Sequence, residues 1–148
     1  DARATMDRLL AEMRYGVLSY LDPKRATPSA SRIALLCLPG YGLVTLVSEL
    51  SLHTPALQSG TKCALLVGDP AAKGDALTAP RVTLHVQPEH FDKSTLREEW
   101  LTRLPKSALY FDFTDFIAFR FALDDAFLNG GFGKAFLFTA NDLRPYAS

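Results

Sequence analysis

The chain has 148 residues, of which 48% are hydrophobic, so we expect residues 1–148 to form one domain around a single core. Sixteen Lys and Arg residues balance sixteen Asp and Glu residues, and a neutral chain lacks the basic surplus with which proteins bind nucleic acid or an anionic membrane. The apolar runs are shorter than the ~20 residues of a membrane helix and no signal peptide is recognisable, so we expect a cytoplasmic protein, although the sequence opens at Asp1 without a methionine.

The first half of the sequence predicts one helix followed by hairpin strands. Met6, Leu9, Leu10 and Met13 recur at helical spacing, which predicts an amphipathic helix that stops at Gly16. Apolar runs of strand length follow in the order "YGVLSYLD", "SRIALLCL" and "LVTLVS". The turns "PKRATPSA" and "PGYG" separate them, which is the pattern of antiparallel hairpins.

The second half adds more strands and a second long helix. We expect a short helix at "HTPALQSG", a strand at "KCALLVG" and a loop at "DPAAKGDALTAP". Strict alternation in "RVTLHVQPE" places Val82, Leu84 and Val86 on one buried face. A covering helix at "STLREEWLTRL", capped by Asp92 or Ser94, precedes the alternating "DFIAFRFALD" and a last strand in "NGGFGKAFLFT".

The order of these elements indicates the fold class. Strand, helix and strand do not alternate, which argues against a doubly wound parallel sheet. The sequence therefore predicts a mainly β fold, a small antiparallel barrel with flanking helices. The adjacent carboxylates Asp124 and Asp125 are interpreted as a turn.

Common signatures of enzymes and metal sites are absent from the sequence. It contains no G-x-S-x-G, no Walker loop and no H-E-x-x-H, and "GGFG" lacks the following helix of a dinucleotide fingerprint. Cys37 and Cys63 lie within apolar runs, with no histidine at metal-ligand spacing. We therefore expect buried, reduced thiols and no metal site.

One polar cluster interrupts the apolar pattern, where the strand in "LVTLVSELSLHTPAL" ends. If this strand and "SRIALLCL" end on the same side of the barrel, a set of hydroxyl and cationic donors could converge on an anion such as a phosphate: Ser31, Arg32, Ser48, Ser51, His53 and Thr54. A second interpretation stays open, in which Ser51 or Thr54 caps the short helix and His53 and Arg32 lie on the surface.

The order of the motifs "SASRIALLCL", "LVSELSLHTPAL", "KCALLVGDP", "APRVTLH", "LYFDFTDFIAFRF" and "LNGGFGKAF" resembles the pyridoxamine-phosphate-oxidase-like family of FMN-binding split barrels. The branch that includes the haem-utilisation flavoproteins is the most similar, and the resemblance runs from about Tyr15 to Leu143. It implies an FMN-binding split barrel whose flavin lies in a groove between the subunits of a homodimer.

The resemblance also implies candidate cofactor ligands. Ser31, Arg32 and Ile33 match the strand that gives an arginine to the FMN phosphate and backbone groups to the isoalloxazine ring. The next strand-to-helix corner is matched by Val47, Ser48, Ser51, His53 and Thr54. Many relatives have a basic residue after the His-Thr pair, but Pro55 stands here, so Lys73 or Arg81 would replace that phosphate contact.

A glycine-rich segment near the C-terminus carries a further expectation. By resemblance, Asn129, Phe132 and Lys134 of one subunit would border the flavin or substrate of the other. Alternatively, the glycines form a tight turn and Phe132 packs in the core or the interface.

The expected function is therefore that of an FMN-dependent oxidoreductase acting on a small molecule, with no acid or base assigned. Two alternatives stay open: a haem-binding or haem-degrading protein that uses the same groove, and a cofactor-free binding module. Haem-binding members often carry a ligand histidine in a C-terminal domain or tail, whereas this sequence ends at "LRPYAS".

Overall fold

The computed structural model describes residues 1–70, 72–131 and 133–147, and its elements follow nearly the predicted order. The strands are β1 (Tyr15–Leu21), β2 (Pro28–Ala34), β3 (Leu36–Leu38), β4 (Gly42–Ser48), β5 (Cys63–Val67), β6 (Arg81–Phe91), β7 (Phe116–Asn129) and β8 (Ala135–Thr139). The α-helices are α1 (Ala2–Glu12), α2 (Thr54–Gln58) and α3 (Lys93–Arg103). Short 3₁₀ turns occupy Ala76–Thr78, Pro105–Leu109 and Arg144–Tyr146.

The sheet curls into a barrel because one bent strand joins its two ends. The strands are ordered β2-β1-β5-β6-β7-β4-β3, with β8 added beside β7, and all neighbours are antiparallel. Only Leu35 separates β2 from β3, so these segments form one strand that pairs with β1 at one end and β4 at the other. The Thr45 hydroxyl donates to the Ala34 carbonyl at 2.6 Å, which ties β4 to β2. The predicted mainly β barrel is confirmed.

Alternating side chains fill the barrel interior, as the sequence predicts for β6. Val82, Leu84 and Val86 are fully buried, together with Phe119 from β7. Helix α1 contributes Met6 and Leu10 to the same core cluster.

A second apolar cluster lies between the outside of the barrel and α3. Leu96 and Trp100 of α3 pack there with Leu46 and Ala118 of the sheet. Asp92 caps the helix by accepting from the Ser94 backbone N–H at 3.0 Å, so one of the two predicted caps is confirmed.

The turn expected at Asp124 and Asp125 is wrong, because β7 continues through both residues to Asn129. His85 pairs with Asp125 and Val86 pairs with Leu123, which leaves Asp124 as the extra residue of a β-bulge. The bulge lets the strand accommodate polar residues without ending, and the sequence pattern alone does not separate this case from a turn.

Two further sequence expectations have outcomes in the structure. Cys37 and Cys63 are free thiols, as predicted, although each is only half-buried, and burial raises the pKa of each to about 11. Gly16, expected to stop the first helix, instead lies in β1, where a Cβ atom would stand 3.0 Å from the Leu35 side chain. Among the described residues, no helix is long and apolar enough to cross a membrane.

Candidate functional site

Arg32 points away from the barrel core, and its guanidinium is free to meet a ligand. It pairs with Val17 of β1, while its neighbour Ile33 is buried inside the barrel, as strand alternation requires. The guanidinium carbon lies 5.5 Å from the centroid of the Tyr15 ring, a cation–π contact. In the described part of the chain, Arg32 makes no side-chain hydrogen bond or ion pair.

Arg32 lines a groove of about 470 Å³ between the outside of β2 and the segment that follows α3. We call it the β2 groove; its lining includes Arg14, Tyr15, Arg32, Arg103, Lys106 and Tyr110. Four of these side chains are cationic, and no Asp or Glu is among the described residues that line the groove. Its electrostatic character therefore favours an anion.

Two of the four cations already neutralise the C-terminal end of α1. Arg14 donates to the carbonyls of Ala11, Glu12 and Met13, and Arg103 donates to the Ala11 carbonyl at 2.8 Å. The negative end of the helix dipole explains these contacts. Arg32 and Lys106 are therefore the cations best placed to bind an added anion.

Ser31 and His53 belong to a different cluster, on the inner side of the sheet. The Ser31 hydroxyl donates to the Tyr20 phenol oxygen at 3.4 Å, and the His53 ring meets the Tyr20 ring edge-on, with centroids 6.4 Å apart. Burial lowers the pKa of His53 below its ordinary value, so the imidazole is neutral at neutral pH. A neutral imidazole offers a phosphate less attraction than a cation does.

The hydroxyls of the strand-to-helix corner stabilise the corner itself. The fully buried Thr54 donates its hydroxyl proton to the Ser48 carbonyl. The Ser48 hydroxyl accepts from the Leu50 N–H at 3.1 Å and donates to a carboxylate oxygen of Asp115 at 3.4 Å. Ser51 lies in the same tight turn, and its backbone carbonyl accepts from the Thr54 N–H at 3.2 Å.

The corner is consequently a poor place for a phosphate. The Asp115 carboxylate beside Ser48 would repel one. Helix α2 has only five residues and no side-chain cap, so its dipole adds little. Val47, the remaining predicted residue of this corner, is buried in the barrel core.

Arg81 and Asn129 lie on β6 and β7, which are not neighbours of β2 in the sheet. Arg81 pairs with Asn129, and three strand spacings, roughly 14 Å, separate β6 from β2 along the sheet. The Arg81 guanidinium donates to the carbonyls of Leu77 and Ala79 at 3.0 and 3.2 Å, which braces its own loop. Lys73 and Lys134 are exposed, and Phe132 lies outside the described residues.

A second groove, of about 530 Å³, lies on the other side of Tyr15 and was missed by the sequence interpretation. We call it the α1 groove; its lining includes Arg8, Glu12, Arg14, Tyr15, Val17, Arg32, Leu66, Gly68, Asp69 and Pro80. The Tyr15 hydroxyl donates to Asp69 Oδ2 at 2.5 Å, and this hydrogen bond raises the pKa of the phenol. Tyr15, Arg14 and Arg32 border both grooves.

The sequence pattern gives only part of the information needed to predict the residues of the α1 groove. Alternation in "YGVLSYLD" places Tyr15 and Val17 on one face, but their contact with Arg32 depends on the register of the hairpin, which the turn sequence does not fix. Within the described ranges, no three His, Cys, Asp or Glu side chains cluster as metal ligands would.

Comparison with known proteins identifies this architecture. No family model and no curated protein matches the sequence. One solved structure is 36% identical, with a TM-score of 0.87, over 96% of this chain and 94% of its own. A heme binding protein from Mycobacterium smegmatis is 23% identical, with a TM-score of 0.84, over 96% of this chain.

A third structure shares the fold at lower sequence identity. It is a Clostridium acetobutylicum protein related to general stress protein 26 of Bacillus subtilis and described as a member of the pyridoxinephosphate oxidase family. The two chains are 13% identical, with a TM-score of 0.68, and the match covers 97% of this chain and 99% of that one. The chain spans only 59% of the Mycobacterium smegmatis protein. The shared architecture is the split barrel.

Proposed function

Because the chain has the split-barrel fold of the pyridoxamine-phosphate-oxidase-like proteins, we propose that it is a flavoprotein that binds FMN in the β2 groove. The observation that carries the proposal is the composition of that groove, which combines four cations with two tyrosines and no carboxylate among its described lining. An anionic group attached to a planar ring system matches such a lining.

The residues present fit FMN when its phosphate lies at Arg32. Arg32 is free of polar partners in the described chain, and Lys106 is a second cation in the same groove. Tyr15 and Tyr110 offer aromatic faces, and Phe116 packs behind Tyr110 at 4.7 Å between centroids. The corner at Ser48 fits less well, since Asp115 stands there and Pro55 replaces the cation of many relatives.

Bound FMN would supply the redox chemistry, and the chain would hold and orient it. Arg32 and Lys106 would neutralise the phosphate, and the tyrosines would limit the positions that the ring can take. None of these groups is assigned as acid or base. Oxidation or reduction of a small molecule beside the flavin is the activity that we propose.

A second copy of the chain is part of the proposal. A row of four paired residues, three of them apolar, crosses the outer sheet in register from Leu66 through Thr83 and Phe127 to Leu137. Leu66, Phe127 and Leu137 are 44%, 47% and 65% exposed. A homodimer through this row should bury at least about 1,200 Å² in total. It would also let Asn129 and Lys134 act on a cofactor of the partner.

Haem is the second candidate for the β2 groove. The Mycobacterium smegmatis structure is described as a heme binding protein, and the groove's cations would suit haem carboxylates. No histidine is among the described lining residues, so an axial ligand from this lining would be Tyr15 or Tyr110. A barrel without any cofactor is the remaining alternative.

An absorption spectrum of freshly purified protein, followed by titration of the cofactor-free form, tests the proposal. We expect flavin bands rather than a Soret band, and FMN affinity at least about tenfold above that of riboflavin, because riboflavin lacks the phosphate. Equal affinity for the two flavins would remove the phosphate site. A Soret band with no flavin binding would favour haem, and no binding of either would favour the cofactor-free module.

A further inference from the structure

The α1 groove joins a cationic rim to an apolar floor. Arg8 from α1 and Arg32 from β2 stand at the rim, and neither makes a side-chain hydrogen bond or ion pair in the described part of the chain. The floor includes Leu9 and Val17. A binding surface of this kind matches a molecule with one anionic group and an apolar body.

Among the other charged residues of the groove, Asp69 and Arg14 already make hydrogen bonds within the chain, and the groove has more cations than carboxylates. Asp69 accepts the Tyr15 hydroxyl, and Arg14 covers the carbonyls at the end of α1, which would otherwise repel an anion. With Arg8, Arg14 and Arg32 against Glu12 and Asp69, the charged lining carries a net excess of one positive charge.

Closely packed backbone at Gly68 and Pro80 forms part of the lining of the groove. At Gly68, with φ of +119°, a Cβ atom would lie 2.6 Å from the Pro80 carbonyl, so the strand ends that flank the loop touch. Arg81 secures the same loop by donating to two of its carbonyls. A preformed groove loses less conformational entropy when a ligand binds.

From these observations we infer that the α1 groove binds a small organic anion with an apolar body, such as a carboxylate on a hydrocarbon or aromatic framework. The anionic group lies between Arg8 and Arg32, and the apolar part covers Val17. Tyr15 and Arg32 border both grooves, so an anion in the α1 groove would lie beside the proposed FMN site and outside it. The inference does not depend on the proposed function.

The test uses phenylbutyrate as the anion and phenylbutanol as its neutral counterpart, followed by NMR shifts of the backbone amides of the full chain. We expect phenylbutyrate to shift the amides of Gly16, Val17 and Gly68, and phenylbutanol to bind far more weakly. Arg8→Gln should weaken phenylbutyrate binding on the order of fivefold, because it removes one charge at the rim. The matched control is Arg25→Gln, which removes an exposed arginine outside both grooves and should change nothing.

Repeating the titration with FMN present separates the inference from the proposed function. Retained binding with Arg8 dependence supports the α1 groove, even if FMN itself fails to bind. Displacement of phenylbutyrate by FMN, with shifts at Ile33 and Lys106 instead, would overturn the inference and leave the cofactor proposal intact. Equal binding of acid and alcohol, no binding, or an unchanged affinity in Arg8→Gln would also overturn it.

Discussion

Arg32→Met is the substitution that tests the cofactor site most directly. Methionine keeps the stem that packs near Tyr15 but removes the guanidinium, which lies 5.5 Å from the centroid of the Tyr15 ring. Because no native hydrogen bond or ion pair is lost, the fold should remain intact. Any loss of FMN affinity can therefore be attributed to the missing charge.

The size of the effect follows from the exposure of Arg32. A charge-assisted hydrogen bond contributes roughly 1.5 to 3 kcal/mol, and an exposed guanidinium should contribute near the lower end of that range. We therefore expect FMN to bind at least about tenfold more weakly, or about 1.4 kcal/mol, while riboflavin affinity stays the same. Quenching of flavin fluorescence measures both affinities, and thermal unfolding of the cofactor-free protein checks the fold.

Two further variants sharpen this experiment. Arg25→Met removes an exposed arginine from the turn between β1 and β2, and it should leave FMN affinity unchanged. Adding Pro55→Lys to Arg32→Met should restore part of the lost FMN affinity if the phosphate reaches the strand-to-helix corner at Ser48. Because Pro55 lies in the first turn of α2, the stability of the double variant must be measured separately. Full FMN affinity in Arg32→Met would refute the assignment and direct attention to Lys73 and Arg81.

Three other expectations concern the dimer, the thiols and the segment after α3. Phe127→Glu should convert a dimer into a monomer in light scattering. Leu109 is an exposed apolar residue outside the row, and Leu109→Glu should leave the dimer intact. An unchanged dimer in Phe127→Glu would exclude the row that contains Phe127 as the dimer interface. Cys37 and Cys63 have pKa values of about 11, and the thiolate is the reactive form of a cysteine. Both thiols should therefore react slowly with dithiobisnitrobenzoate near pH ~8 in the native protein and fast after unfolding. Rapid reaction of the native protein would contradict the burial of the two thiols. Lys93→Met removes the hydrogen bonds from the Lys93 ammonium to the carbonyls of Phe111, Phe113 and Phe116. We expect urea titration to show a free energy of unfolding lower by about 2 kcal/mol. Lys106 is exposed, and Lys106→Met should lower that free energy little.

The fold could be predicted from the sequence where the signal is local. The alternation of Val82, Leu84 and Val86 and the capping position of Asp92 depend on residues within a few positions of each other, and both predictions are confirmed. The bulge at Asp124 was missed, because its evidence lies in the pairing with β6 and not in the residues beside it.

The site was harder to predict because it depends on contacts between distant segments. The sequence correctly singles out Arg32 as a cation on a strand, but its groove is completed by Arg103, Lys106 and Tyr110, about seventy positions later. Arg32 also needs the hairpin register to meet Tyr15. No local pattern marks these residues, since exposed lysines and arginines occur on most protein surfaces.

Pro55 and Asp115 change the charge of the same corner in the same direction. Relatives often place a cation after the His-Thr pair, whereas this chain has an uncharged proline there and a carboxylate against the Ser48 hydroxyl. Either difference alone weakens the attraction for a phosphate, and together they weaken it further. We therefore expect an anion to prefer Arg32 and Lys106, where the described lining holds no carboxylate. For this reason, removing the charge of Arg32 should lower FMN affinity more in this protein than in a barrel whose strand-to-helix corner keeps its own cation.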